Sequence, residues 1–206
     1  MGMSLSWWFP KLYDHLMEPL ERSGLRRIRQ QLLKEAQGKV LEIGSGTGAN
    51  FPFYDPVRVQ CVIAVEPAEQ MRRRSLAKIE QAAVPVDVVA AGAENLPFPD
   101  AFFDTVVGTL VFCTIPDPEK ALQEVRRVCK PGGKVLIFEH VRLESPFLAR
   151  LQDLLTPVWK RLCDGCHLNR NTLQLVRRSG LQVKRVESFY RDLFLVIEAV
   201  NPPLGH

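Results

Sequence analysis

The stretch VLEIGSGTGAN, Val40 to Asn50, decides how the rest of the chain is read. A hydrophobic run passes straight into three glycines at alternate positions, Gly44, Gly46 and Gly48. Glycine at every second residue weakens a strand, so the strand ends where the glycines begin. Glycine is of use where the backbone takes a positive φ or must come very close to a ligand. The stretch therefore reads as a strand followed by a ligand-holding loop. The candidate ligands are a dinucleotide, a phosphate, or an adenosine-containing molecule without phosphates.

A chain of 206 residues suits one domain, which buries roughly 70% of its unfolded surface on folding. With 46% hydrophobic and 24% charged residues it has the composition of a soluble globular protein. A net charge of +4 is compatible with nucleic acid, an anionic membrane surface or no charged partner. The basic clusters are short, Arg26, Arg27 and Arg29 and then Arg72 to Arg74, and both read as solvated helix faces. The N-terminal MGMSLSWWFPKLYD lacks the long apolar core that export or membrane spanning requires. Five cysteines then read as free thiols in a reducing cytoplasm. Trp7, Trp8 and Phe9 read as packing an N-terminal helix onto the domain, with peripheral contact to a membrane interface as the alternative.

Along the chain, continuous apolar strands alternate with helices. KVLEIG, VQCVIAVE, VDVVAAG, FDTVVGTLVF and KVLIFEHV read as strands, with helices over 68–81 and 118–129. Asp117 is the expected N-cap of the second of these, with Pro118 at its first position. KPGG is a turn, and Ser145 to Asn169 is partly helical. Asn171 caps a further helix ending at Gly180, before two strands, LQVKRVES and LFLVIEAV. Such strands imply a mostly parallel sheet covered on both faces. The last two have too short a connection to be parallel, so one sheet edge is an antiparallel hairpin. The pattern predicts a single doubly wound α/β domain of seven strands. Its expected parts are an N-terminal helical lid (1–36), a ligand-binding core (37–140), a substrate lid (141–170), and a C-terminal helix and hairpin (171–206).

The loop spacing, G-x-G-x-G, departs from the G-x-G-x-x-G of dinucleotide sites, and no G-x-x-x-x-G-K-[ST] is present to cradle phosphates. Glu42 stands two residues before the first glycine, where a carboxylate would repel a pyrophosphate. It suits a ligand with positive charge and no phosphate, and S-adenosylmethionine is such a ligand. Glu66 ends the second strand, the place from which an acid grips ribose hydroxyls in open α/β folds. In GAENLPFPDAFFD, Glu94 or the backbone beside Ala93 can accept from an adenine amino group. Leu96 and Phe98 offer an apolar wall for the ring.

Together VLEIGSGTG, VEP followed by Met71, AENLPF, FDTVV and CKPGG resemble the class I S-adenosylmethionine-dependent methyltransferases. That resemblance implies a Rossmann-like sheet. It also implies that Gly44, Gly46 and Gly48, with Thr47, line the methionine and ribose moieties. Glu66 would bind the ribose hydroxyls, Pro67 and Met71 would lie by the adenine, and Ala93 and Glu94 would meet its edge. Thr109 and Leu110 would face the methionine portion, and Tyr13 would complete the cofactor set from the lid.

Outside the core, YDHLMEP, TLVFCTIPD, FEHV and DLLTPVWKRLCDGCHLNRNT resemble the methyltransferase-like seven family of animal thiol S-methyltransferases and their bacterial relatives. This implies methyl transfer to a small, largely apolar acceptor, with a thiol as first choice. A quinone or phenol C- or O-methyltransferase is the alternative, and a non-catalytic S-adenosylmethionine-binding module a third. A thiol has a pKa near 8.5 and needs only modest help to ionise, whereas a phenol or hydroxyl needs a general base. His140, at the carboxyl end of the fifth strand, is the candidate base or substrate contact. Tyr13 and His15 could reach it from the lid, and Asp164 could shape the pocket.

Two further motifs carry no chemistry on this reading. CDGCH, with Cys163, Cys166 and His167, satisfies the haem attachment signature, but that chemistry belongs outside the cytoplasm. It lacks a second ligand pair at finger spacing for structural zinc, so these residues read as ordinary lid residues without a metal. NPPL at Asn201 lies far from the fourth strand, where base methylases carry a similar motif, and no nucleic-acid groove is suggested.

Overall fold

The computed structural model describes residues 24–163 and 165–203. The expectations for Trp7, Trp8, Phe9, Tyr13, His15 and Asp164, and for the lid helix, fall outside these residues.

Seven strands form one sheet in the order β3-β2-β1-β4-β5-β7-β6. They are β1 (Gly38–Ile43), β2 (Val59–Val65), β3 (Val86–Val89), β4 (Phe103–Thr109), β5 (Cys129–His140), β6 (Gln182–Phe189) and β7 (Phe194–Val200). β1 pairs parallel with both β2 and β4, so the glycine loop leaves the middle of the sheet. β7 runs antiparallel to β5 and to β6, which places the expected hairpin at one edge. Five helices accompany the sheet among the described residues: α1 (Arg26–Leu33), α2 (Glu69–Ile79), α3 (Pro118–Val128), α4 (Pro146–Leu162) and α5 (Thr172–Arg178).

Burial on both faces follows from the strand sequences. Leu41, Ile43, Val106, Val135 and Ile137 enter one core with Ala121, Leu122, Val125 and Val128 of α3. Their neighbours in sequence, Val40, Val107, Leu136 and Phe138, enter a second core with Ile28, Leu32 and Leu33 of α1. Successive residues of a strand point to opposite faces, so a continuous apolar run serves two cores at once. The outermost strand, β6, is mostly exposed and carries Lys184, Arg185 and Glu187, charges that discourage edge-to-edge pairing.

Both expected caps form. Asp117 accepts from the Lys120 amide at 3.0 Å, and Asn171 accepts from the Gln174 amide at 3.0 Å. The KPGG turn is an outward loop at the start of β5: Phe103 pairs with Cys129, but Thr105 pairs with Lys134. Asn201 closes it. The Gly132 amide donates to the Asn201 carbonyl at 2.8 Å, and the Asn201 amide donates to the Gly133 carbonyl at 2.9 Å. The Asn201 side chain donates to the carbonyls of Arg126 and Cys129 at 2.9 and 2.8 Å. Asn201 is thus a structural staple.

Two strands stop well short of their expected ends, β3 at Val89 rather than Gly92. β4 ends at Thr109 rather than running through Phe112, because Leu110 takes φ +53° and turns the chain. The buried Glu139 carboxylate holds that turn, accepting from the Val111 and Phe112 amides at 2.5 and 2.6 Å.

Candidate active site

The glycine loop takes the conformation its sequence requires. Gly44 and Gly46 have φ of +59° and +55°, in the left-handed region where a side chain is disfavoured. A Cβ on Gly44 would overlap Val111, whereas one on Gly46 would meet nothing within 4 Å. Gly46 therefore presents bare backbone to open space. The Glu66 carboxylate accepts from the Gly46 amide at 3.0 Å and from the Ala68 amide at 2.9 Å. Arg72 donates to the carbonyls of Glu66 and Pro67, both at 2.7 Å, and fixes the start of α2. Pro67 is exposed there, and Met71 half-buried. Thr47 is half-buried in the loop and Gly48 packs on Phe51.

Beneath the loop lies a buried polar network. Glu42, 2% exposed, accepts from the Tyr54 hydroxyl at 2.6 Å and from Asn50 Nδ2 at 3.0 Å. Arg29 Nη1 donates to Asn50 Oδ1 at 2.8 Å and to Thr109 Oγ1 at 2.7 Å. Asn50 Nδ2 also lies 3.1 Å from Thr109 Oγ1. Burial pushes the Glu42 carboxyl up to about 7, against the Tyr54 bond, the Arg29 charge and the Asn50 bond. Both Glu42 oxygens accept from protein donors, and Glu42 supports the loop from below. One expectation is corrected here. Arg29, assigned to a solvated face, is only 4% exposed, while its neighbours Arg26 and Arg27 are exposed. Thr109 likewise turns its hydroxyl into this network, leaving Leu110 at the strand tip.

On the far side of the loop, Ala93 and Leu96 belong to the core. Leu96, 3% exposed, backs the segment rather than offering a ring a surface, which corrects its expected role. Phe98 stands edge-on to Phe103 at 5.1 Å between centroids. Glu94 is half-buried. Arg127 binds the carbonyls of Leu96 and Phe98 at 3.0 and 2.7 Å, shaping the segment from α3.

At the carboxyl ends of β4 and β5 lies a second cluster. His140 Nε2 is 3.1 Å from Cys166 Sγ, and Cys113 Sγ completes a trio whose atoms all lie within 4.8 Å of one another. Cys166 is held down to about 4, mainly by a bond from Cys113 and then, against burial, by His140. Burial, the largest single influence, opposes charge on His140, but the bond to Cys166 and the charges of Cys166 and Glu139 together outweigh it and raise the imidazole. Cys113, which donates to Cys166, is pushed up. The residues after α4 are tied over this end. The His167 amide donates to the Cys113 carbonyl at 2.9 Å, and Arg170 donates to the carbonyls of Phe112 and Ile115. Gln152 of α4 donates to Val141 and Leu168 carbonyls at 3.1 and 3.0 Å. The expectation of ordinary lid residues is corrected for Cys166, which packs directly on His140.

A sheet ordered 3-2-1-4-5-7-6 with its last strand antiparallel, a glycine loop and an acid at the end of the second strand define a Rossmann-like nucleoside-binding class. Residues 41–137 match the family described as "Methyltransferase domain". The chain is 41% identical over 176 residues to thiol S-methyltransferase TMT1B of Homo sapiens, covering 82% of this chain and 71% of that one. It is 34% identical over 146 residues to phosphatidylethanolamine N-methyltransferase of Cereibacter sphaeroides, covering 70% of each. The structure of a SAM-dependent methyltransferase from Aquifex aeolicus superposes with a TM-score of 0.65 at 20% identity, covering 93% of this chain and 97% of that one. The chain belongs to the class I S-adenosylmethionine-dependent methyltransferases, and its methyl donor is S-adenosylmethionine. No helix among the described residues is long and apolar enough to cross a membrane.

The residues fit that donor. The open side of Gly46 admits a ligand against bare backbone, and the amide there is already committed to Glu66. The loop thus lacks the row of unengaged amides that holds a phosphate, and puts a carboxylate where hydroxyl groups can donate.

Proposed function

We propose that the protein methylates the sulfur of a small, largely apolar thiol. The observation that carries this reading is the likeness to thiol S-methyltransferase TMT1B, which extends through FEHV and the segment bearing Cys166. In this reading Gly44, Gly46, Thr47 and Gly48 line the methionine and ribose portions of the donor. Glu66 accepts from the ribose hydroxyls while bracing Gly46. Pro67 and Met71 flank the adenine, Ala93 and Glu94 meet its edge, and Thr109 and Leu110 close the methionine end. When bound, S-adenosylmethionine supplies an electrophilic methyl group whose departure leaves a neutral thioether.

The chain's own work is then positional. An in-line nucleophile held about 3 Å from the methyl gains most of its rate from orientation. His140 and Cys166 stand at the carboxyl edge of the sheet, where open α/β folds place ligands. The described residues between 141 and 170 are tied over this end and would exclude water from the acceptor. The test is S-adenosylhomocysteine release with a panel of alkyl and aryl thiols, hydrogen sulfide, catechols, quinols and a phosphatidylethanolamine. Turnover confined to the thiols is the expected result. Turnover on quinols or the amine alone would replace the thiol assignment.

A further inference from the structure

A thiol acceptor has to lose its proton to be methylated, and at the carboxyl ends of β4 and β5 the protein gathers an unusual group of atoms. Cys113 Sγ, His140 Nε2 and Cys166 Sγ lie within 4.8 Å of one another. Tetrahedral zinc with Zn–S near 2.3 Å and Zn–N near 2.0 Å sets its ligand atoms about 3.5–3.8 Å apart. The His140–Cys166 separation of 3.1 Å opens by a few tenths of an ångström to meet that spacing, and the widest separation, up to 4.8 Å, closes by about 1 Å.

Three features single this cluster out. First, its members come from three separate segments that the backbone ties together. His140 sits in β5 opposite Phe194. The Cys113 backbone accepts from His167, and the Cys166 amide donates to Cys163 at 2.9 Å. Second, the place holds a buried acceptor without a donor: Glu139, next to His140 in sequence, has its Oε2 buried without a partner among the described residues. Such a group is costly unless a donor or a cation joins it. Third, among the described residues the set stops at three. Cys163, the other half of C-x-x-C, is not part of the group, and three protein ligands with an open position are the mark of a catalytic site rather than a structural one.

We propose that Cys113, His140 and Cys166 bind one zinc ion, and that the fourth position of that ion takes the acceptor's sulfur. The second half rests on the thiol reading above; the first does not. A thiol entering that position loses its proton to water, because a coordinated thiol ionises outright. A lone pair of the resulting thiolate forms the new sulfur–carbon bond to the methyl group. The bond from that carbon to the sulfonium sulfur breaks, and its electron pair stays on the sulfur of S-adenosylhomocysteine. No oxidant or reductant is needed. The methyl thioether is a poorer zinc ligand than the thiolate and leaves.

The full chain, stripped with a chelator and titrated with cobalt(II) as a spectroscopic stand-in, provides the test. One equivalent should give a thiolate-to-cobalt charge-transfer band with tetrahedral d–d absorption, and a small thiol should shift both. Cys166→Ser and His140→Gln should each weaken zinc binding by more than about 100-fold, while calorimetry shows that S-adenosylmethionine still binds. Should either variant fail to fold, the wild-type spectrum decides alone. No thiolate–cobalt band in protein that binds S-adenosylmethionine overturns the metal site. Undiminished thiol methylation by chelator-stripped protein overturns the catalytic half of the proposal, and leaves the thiol assignment standing. A cobalt band that thiols do not shift overturns the substrate half.

Discussion

Glu66→Gln separates two roles that one carboxylate performs. In the structure its oxygens accept from the amides of Gly46 and Ala68 at 3.0 and 2.9 Å. Glutamine keeps one acceptor oxygen and turns an NH2 group toward the other amide, so one charge-assisted bond is lost. Such a bond is worth about 1.5–3 kcal/mol, and for a domain near 200 residues about 2 kcal/mol lowers Tm by roughly 4–8 °C. If the carboxylate also accepts from the ribose hydroxyls, losing that contact costs a similar amount in binding. S-adenosylmethionine affinity should then fall about 10- to 100-fold. Calorimetric titration with S-adenosylmethionine and S-adenosylhomocysteine reads the second effect, and thermal unfolding of the ligand-free protein reads the first. An affinity within threefold of wild type together with the expected drop in Tm would refute the ribose contact and reduce Glu66 to a loop brace.

Gly44→Ala should leave a folded protein with cofactor affinity reduced more than about tenfold, since a left-handed alanine costs about 1–2 kcal/mol and its Cβ overlaps Val111; urea unfolding and calorimetry check both halves. Glu42 has its carboxyl raised to about 7 by burial. A raised pKa means that its favourable contribution is complete below the unfolded pKa and is lost as pH rises through the folded one. Glu42→Gln should therefore gain on wild type by up to about 3 kcal/mol between pH 4.5 and pH 8, and a constant difference across that window would count against the assignment. Asp117→Ala removes the cap on Lys120 and should cost about 1 kcal/mol, read as a lower Tm with unchanged cofactor affinity.

The glycine loop, both caps and the terminal hairpin were legible because each depends on residues close in sequence: a spacing, an Asp-Pro, a short connection. The buried network was not. Arg29 sits beside two exposed arginines, and charge clustering outweighed the one clue against it. Leu25, Arg29 and Leu33 are four residues apart, so Arg29 occupies the stripe that α1 turns to the core. Asn50 stands inside the very stretch that decided the fold, yet its partners, Arg29 and Thr109, are joined to it only by the sheet. Cys113 escaped notice for the same reason. Its neighbours His140 and Cys166 lie on other elements, and no local pattern reports a meeting of strand ends. Leu96 was misplaced because an apolar residue in a polar loop can serve a ligand or the core, and only packing tells them apart.

The sheet order has a temporal consequence. β7 is the last strand in sequence, yet it lies between β5 and β6 and pairs with both. During synthesis β6 emerges before the strand that will hold it, and through that interval it is an unpaired edge. Asn201, just beyond β7, then ties down the loop at the start of β5, some seventy residues upstream. Contacts of such separation form late, because the connecting chain must be ordered first. The carboxyl-terminal third should therefore close in one late step, and interruptions of the chain after β6 should leave a species prone to associate through that strand.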